Sequence, residues 1–320
     1  IIKTNLLPDY ALMQVSVKGG RSKLPCVFDL NENFYRLLGL WVAEGDFNSG
    51  CVRLHAFNPE IRQDIINTLN EFNLSFTLTE TSIIVNSFIL TKIFKDYFNL
   101  SSGAFNKKIP LQVLISSTKK AANFLKGYFS GDGSISARKG GFVIEATTVS
   151  KQLANDLLYL FLRFGIVAFY GVKKEWNNSI SHRIKIFGVN HFKKFSQIGF
   201  IDKKRNDLIL KYVCEKQWAR GNSIPVNPAL HNILKEAFGS YQKNACVDLK
   251  KVSQALQLID LQKTRFNSLW QLLEADIYWD KIVAIKEIPY TGFVYDVSVE
   301  PCQNFLAGFG GIFAHNSEKG

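Results

Sequence analysis

At 320 residues and 36.2 kDa the chain has room for two domains of roughly 150 residues each. Hydrophobic residues make up 47% and charged residues 21%, which excludes a disordered chain and leaves enough apolar side chains for buried cores. The net charge of +12 is uneven: residues 1–225 hold 30 Lys and Arg against 17 Asp and Glu, whereas residues 226–320 hold 9 against 10, so the first part suits a polyanion and the second does not.

The start, Ile1-Ile2-Lys3, has no signal-peptide layout, and a single Met in the whole chain fits a fragment of a longer frame. Residues 33–43 read as an apolar helix with Gly39 inside it, running into Glu44-Gly45-Asp46. A hairpin follows at 45–56, turning at Asn48-Ser49-Gly50. Asn58-Pro59-Glu60 opens a helix to about Phe72, with Asn as cap and Pro at the first helical position. Alternation at 74–78 and 82–86 gives a second hairpin, and a helix follows at about 87–98.

The pattern then recurs. Phe124–Ser130 is an apolar helix with Gly127 inside it, running into Gly131-Asp132-Gly133. A hairpin at 133–147 turns around Lys139-Gly140-Gly141, and Ser150 caps a helix to Phe164 that ends at Gly165. The densest apolar run, Leu157–Tyr170, is broken by Arg163 and falls short of the ~18 residues of a membrane span, so no membrane partner is expected. Strands at 166–173 and 182–187 and a helix at about 190–198 complete the second copy. Each half reads αββαββα, and Glu44 and Asp132 stand 88 residues apart at equivalent places.

Gly inside an apolar helix is disfavoured by about 1 kcal/mol against Ala, so a close helix crossing is the packing reason to expect. If the two helices cross at Gly39 and Gly127, Glu44 and Asp132 face each other. Two such carboxylates repel unless a divalent cation lies between them, and hard oxygen ligands with open positions suit Mg²⁺ and phosphodiester hydrolysis. Taken singly, each acid is better read as a mere helix end; the duplication, the matched glycines and the basic surround reverse that in favour of the pair. Five dispersed cysteines (Cys26, Cys51, Cys214, Cys246, Cys302) form no CxxC pair, and the histidines form no HExxH. That argues against a zinc site and for a reducing, cytoplasmic setting.

The segments Leu37-Leu38-Gly39-Leu40-Trp41-Val42-Ala43-Glu44-Gly45 and Leu125-Lys126-Gly127-Tyr128-Phe129-Ser130-Gly131-Asp132-Gly133 resemble the paired signature of LAGLIDADG homing endonucleases. The resemblance implies an α+β fold with a pseudo-twofold duplicated αββαββα domain, working as a monomer on double-stranded DNA. It implies that Glu44 and Asp132 are the metal-binding catalytic acids, and that two saddle-like sheets lie in the major groove. Lys107-Lys108-Ile109-Pro110 matches the family's catalytic lysine before Ile-Pro, with Lys107 in that place. At the corresponding end of the second repeat, Asn222-Ser223-Ile224-Pro225 lacks the lysine, which puts symmetric two-strand cleavage in question. Arg138, Lys139, Arg183, Lys185, Lys203, Lys204 and Arg205 are the candidate DNA contacts.

Residues 226–275 read as a neutral helical extension, and from Asp276 the pattern turns to β, with strands expected at Ile282–Ile285 and Phe293–Val299. The chain then runs through Gly310-Gly311-Ile312-Phe313-Ala314 to His315-Asn316-Ser317. There the Asn316 amide can attack its own carbonyl and break the bond to Ser317, with His315 and Asp296 assisting and the Ser317 hydroxyl as acyl acceptor. With Val294-Tyr295-Asp296-Val297-Ser298-Val299 upstream, this end resembles the C-terminal splicing blocks of archaeal-type inteins, of the Hint fold; Gln303 stands where that family usually has His.

The resulting division is 1–29 as linker or end of an N-terminal splicing half, 30–225 as endonuclease (repeats about 30–120 and 121–225), 226–275 as extension, 276–316 as C-terminal splicing segment and 317–320 as start of the C-extein. No N-terminal splicing half is recognised, so splicing would need a separate N-terminal half, and the host extein would be a covalent partner. Two alternatives stand beside this reading: a splicing element with a decayed endonuclease, and a non-cleaving DNA-binding protein on the same scaffold.

Overall fold

The computed structural model describes residues 14–16, 23–25, 27–138, 141–176, 178–215, 223–242, 245–260, 263, 265–275, 277–280 and 282–316. Strands β1 (Gln14–Ser16) and β2 (Lys23–Pro25) form a short antiparallel pair. Helix α1 (Glu32–Glu44) starts where the Asn31 side chain accepts the Phe34 N–H, 3.1 Å. It ends at Gly45, which turns the chain straight into β3 (Gly45–Asn48). The turn to β4 (Cys51–His55) puts Ser49 at φ 47° and Gly50 at φ 81°, two left-handed residues in a row, as a tight two-residue hairpin requires. Asn58 caps α2 (Pro59–Glu71) with Pro at the first position, and β5 (Phe76–Leu78) and β6 (Ser82–Val85) follow. The antiparallel sheet runs β3-β4-β6-β5. Helix α3 (Phe88–Lys92), capped by Ser87, continues as a π turn to Tyr97, and the short α4 (Leu111–Leu114) begins after Pro110.

The second repeat has the same order. Helix α5 (Thr118–Asp132) begins six residues before the expected Phe124, capped by Ser117. It leads into β7 (Gly133–Arg138), β8 (Gly141–Thr148), α6 (Lys151–Leu162, capped by Ser150), β9 (Phe169–Lys174), β10 (Ile180–Ile186) and α7 (Val189–Ser196). Its sheet runs β7-β8-β10-β9, the same topology as the first. Helix α8 (Lys203–Glu215), absent from the sequence-based expectation, follows. No helix among the described residues is long and apolar enough to cross a membrane.

The two repeats meet along α1 and α5. A Cβ added at Gly39 would overlap the carbonyl oxygen of Phe124, and one at Gly127 would overlap that of Arg36, so each glycine admits the backbone of the facing helix. Aromatic clusters back this contact on both sides. Phe34 meets Phe72 at 5.6 Å and Phe94 at 5.9 Å, while Phe129 meets Phe161 at 5.4 Å and Phe195 at 5.3 Å.

A second unit, within Trp218–Gln303, has its own core. Strands β11 (Ser223–Pro225) and β12 (Cys246–Asp248) pair beside α9 (Pro228–Phe238), α10 (Leu249–Ile259) and α11 (Asn267–Glu274). Leu234, Val252, Leu256 and Trp270 are buried among them. The helical extension is present as expected, with a strand pair that hydropathy did not indicate. The strands expected at Ile282–Ile285 and Phe293–Val299 are not formed: Val283 is 90% exposed and Val294 87%. Alternation and β-branching make a segment competent for a sheet, but a strand exists only where a neighbour takes its N–H and C=O groups.

The final hairpin, β13 (Asn304–Ala307) with β14 (Ile312–His315), belongs to the first unit. It seats on α6, where the Tyr159 hydroxyl donates to the Gly308 carbonyl (2.8 Å) and the Gly310 N–H donates to Asn155 Oδ1 (2.8 Å). Within the 276–316 stretch, residues 304–315 group with the first unit, where α6 takes up the hairpin.

Gly39→Ala and Gly127→Ala are each expected to destabilise the chain by about 1–3 kcal/mol or more through overpacking. Gly171→Ala, which meets open space, serves as the control and shifts stability by less than about 0.5 kcal/mol. Urea unfolding midpoints check all three; a wild-type midpoint for the first two would contradict the helix contact.

Candidate active site

Glu44 is the last residue of α1 and Asp132 the last of α5. The helix crossing brings these ends together: a Cβ at Gly131 would lie 3.1 Å from Glu44 Cγ. Glu44 is exposed and Asp132 partly buried. Burial pushes the Asp132 carboxyl up to about 7; Glu44's charge adds to this, while Lys107 and the Tyr128 hydroxyl oppose it.

Lys107 joins the pair. Its ammonium donates to the carbonyl of Ala43, the residue before Glu44, and so caps the C-terminal end of α1. Burial pushes it below the usual lysine range, an effect that Asp132, Glu44 and Asp46 resist. The segment carrying Lys107 is tied to the second repeat: Ser150 Oγ donates to the Lys107 carbonyl (2.6 Å), and the buried Asp156 accepts the Ile109 N–H (3.0 Å).

Beside them lies a polar network that the sequence reading missed. Arg53 donates to both carboxylate oxygens of Asp46 (2.8 and 2.5 Å), holding that acid below its ordinary range. His55 lies 3.8 Å from Asp46, and its Nδ1 is 2.9 Å from Ser82 Oγ. The hairpin register sets Asp46 directly opposite Arg53, so once the 48–50 turn is read the pairing follows from counting.

The candidate DNA contacts divide. Arg138, Arg183 and Lys185 converge on Glu145, at 3.9, 3.6 and 3.9 Å, on the face of the second sheet opposite the buried Ile144, Ala146, Ile184 and Ile186. Lys203 and Lys204 are exposed at the start of α8. Arg205 is placed differently from the DNA contact expected of it. Its guanidinium donates to Phe129 O (3.1 Å), Gly133 O (2.7 Å), Ser130 O (2.7 Å) and Asp202 Oδ2 (2.5 Å), clasping the end of α5 that carries Asp132. Lys139 lies outside the described residues.

At the C-terminal end, the Asp296 Oδ1 accepts the Val297 N–H (2.9 Å), and His315 ends β14 opposite Asn304. The Asn316 side-chain amide donates to Gln303 Oε1 (2.7 Å), and its backbone N–H to the Gln303 carbonyl (3.1 Å). Ser317 lies outside the described residues.

The donor set fits a hard divalent cation. Glu44 and Asp132 supply two carboxylates, and the raised Asp132 marks a position where added positive charge is favoured. Among the described residues no three His, Cys, Asp or Glu side chains form an ion cage, so water and substrate phosphate would complete the coordination.

Two expectations follow. Without metal, Asp132 holds its proton more tightly in the folded chain (about 7) than an ordinary aspartate does in the unfolded one. Its contribution to stability is thus full below about pH 4 and lost as pH rises through 7. Thermal unfolding in EDTA should show that decline in wild type and not in Asp132→Asn; equal slopes would contradict it. Arg205→Ala takes the guanidinium away from the buried Asp202 and from the carbonyls at the end of α5 and should cost about 3–5 kcal/mol in urea unfolding. A loss under about 1 kcal/mol would return Arg205 to the exposed class.

Compared with known proteins, the chain is 29% identical over 305 residues to a DNA polymerase of Thermococcus litoralis, an alignment covering 92% of this chain and 16% of the polymerase. It is 26% identical over 306 residues to the isomerising glutamine–fructose-6-phosphate aminotransferase of Methanocaldococcus jannaschii, covering 88% of this chain and 27% of that enzyme. The chain thus spans about a sixth of the polymerase and about a quarter of the aminotransferase. Among solved structures, I-DmoI in complex with DNA and Ca is 12% identical, with a TM-score of 0.40 over 55% of this chain and 96% of that one. Residues 119–199 match the model of the LAGLIDADG-like domain. That match runs from the start of α5 to just past α7.

Proposed function

We propose that the chain is an intein fragment: a metal-dependent endonuclease for double-stranded DNA, joined to the C-terminal part of a protein-splicing domain. The observation that carries the nuclease reading is the meeting of Glu44, Asp132 and Lys107 at the two glycine-crossed helix ends. A Mg²⁺ ion held by Glu44 and Asp132 would supply an activated water and neutralise the leaving oxygen of a phosphodiester. Lys107, held by Ala43 and by its tie to α6, faces the charge of the scissile phosphate. Arg138, Arg183 and Lys185, three cations around one carboxylate, give the second sheet a face for the DNA backbone.

The inserted-element reading rests on the relatives. One chain-length segment aligns inside a polymerase and inside an aminotransferase, enzymes whose chemistries share nothing, as expected of an element inserted into different hosts. Asn316 would close on its own carbonyl carbon through Nδ2, breaking the bond to Ser317 and releasing its amino group.

The two halves of the nuclease are unequal. Among the described residues Lys107 has no cationic counterpart free to meet a phosphate beside Asp132, because Arg205 is committed to backbone carbonyls. One strand should therefore be cut faster than the other. This favours a nicking enzyme as the second reading.

Selection of cleaved molecules from a randomised duplex library in Mg²⁺ tests the proposal. Wild type should cut; Glu44→Gln and Asp132→Asn should abolish cutting, and Lys107→Met should slow it by about 10²-fold or more. A pool left intact in both Mg²⁺ and Mn²⁺ would leave only the DNA-binding reading. Mass spectrometry reads the other end: release of Ser317–Gly320 from wild type and none from Asn316→Ala.

A further inference from the structure

Trp176 is 95% exposed, more than any other large apolar side chain among the described residues. It stands between β9 and β10, near the tip of that hairpin, beside residues that bond one another. The Glu175 N–H donates to Ser179 O (2.8 Å), and the Asn178 N–H donates to Glu175 O (3.0 Å), with Asn178 in the left-handed region at φ 63°. The Glu175 carboxylate accepts Lys173 Nζ at one oxygen (2.6 Å) and Ser181 Oγ at the other (2.6 Å). The only acid of the tip is thus satisfied within the hairpin, and Lys174, exposed, stands two residues before the indole.

An indole held out into water forgoes a large apolar burial. Its surroundings indicate the partner. The hairpin is the outer half of the sheet whose face carries Arg138, Arg183 and Lys185, so a polyanion approaching that face meets the tip as well. The apolar surface of a polyanionic duplex is its base stack, reached through a groove at a flexible step.

We propose that Trp176 is a DNA-stacking residue: its indole wedges against a base of the bound duplex while Lys174 contacts the adjoining phosphate. This rests on the DNA-binding reading above. It adds a contact that is apolar and independent of salt to an interface otherwise made of charge.

Titration of the full chain with a short mixed-sequence duplex carrying 2-aminopurine, across a salt series, tests it. Trp176→Ala should bind about 5- to 100-fold more weakly, lose the DNA-induced quenching of tryptophan emission and lose the aminopurine unstacking signal, with an unchanged salt slope. Trp176→Phe should recover part of the affinity. Lys174→Ala should instead lower the slope by about one. Thermal melting should be unchanged in all three, since these side chains are exposed. Wild-type affinity and quenching in Trp176→Ala would overturn the stacking role, as would a fall in salt slope there. Failure of wild type to bind duplex DNA at all would overturn the DNA-binding reading and this proposal with it.

Discussion

The rest of the first unit depends on the passage of α1 across α5 at Gly39 and Gly127. Each glycine receives the backbone carbonyl region of the other helix, so the two axes come closer than any side chain would allow. That single contact fixes where two carboxylates end. It also makes the site acidic and partly dry, which is why Asp132 resists ionisation. The aromatic clusters beneath each helix resist any slide along the crossing.

A twofold arrangement of backbone does not oblige a twofold arrangement of chemistry. The end of α1 is capped by Lys107, whose ammonium remains beside both acids. The end of α5 is capped by Arg205, whose donors are occupied by carbonyls and Asp202. Leu40 stands four residues before Glu44, while Tyr128 stands four before Asp132, placing a hydroxyl near only one of the acids. Duplication supplied the geometry, and divergence then gave each helix end a different electrostatic partner.

Much of this was legible from residue order. The repeated αββαββα pattern, the cap residues Asn58 and Ser150, and the crossing glycines follow from local preferences and spacing. What was not legible required knowing a neighbour. Lys203, Lys204 and Arg205 look alike as a basic run, but successive helix positions point about 100° apart. Arg205 is drawn inward by Asp202 and three backbone carbonyls that only the tertiary fold brings to it. Likewise, the stretches at 282–285 and 293–299 have the composition of strands but, among the described residues, no strand pairs with them. The hairpin at 304–315 forms because it carries both partners itself and finds α6 to lie on.

The tie between Lys107 and α6 bears on modularity. Ser150 and Asp156 belong to the second repeat, yet they hold the segment that presents the first repeat's lysine. The halves are therefore not interchangeable parts. A chimera that joined this first repeat to a foreign second one could preserve the helix crossing and both acids and still leave Lys107 unanchored. To pass intact between scaffolds, the lysine must travel with a Ser and an Asp at matching positions on the other half.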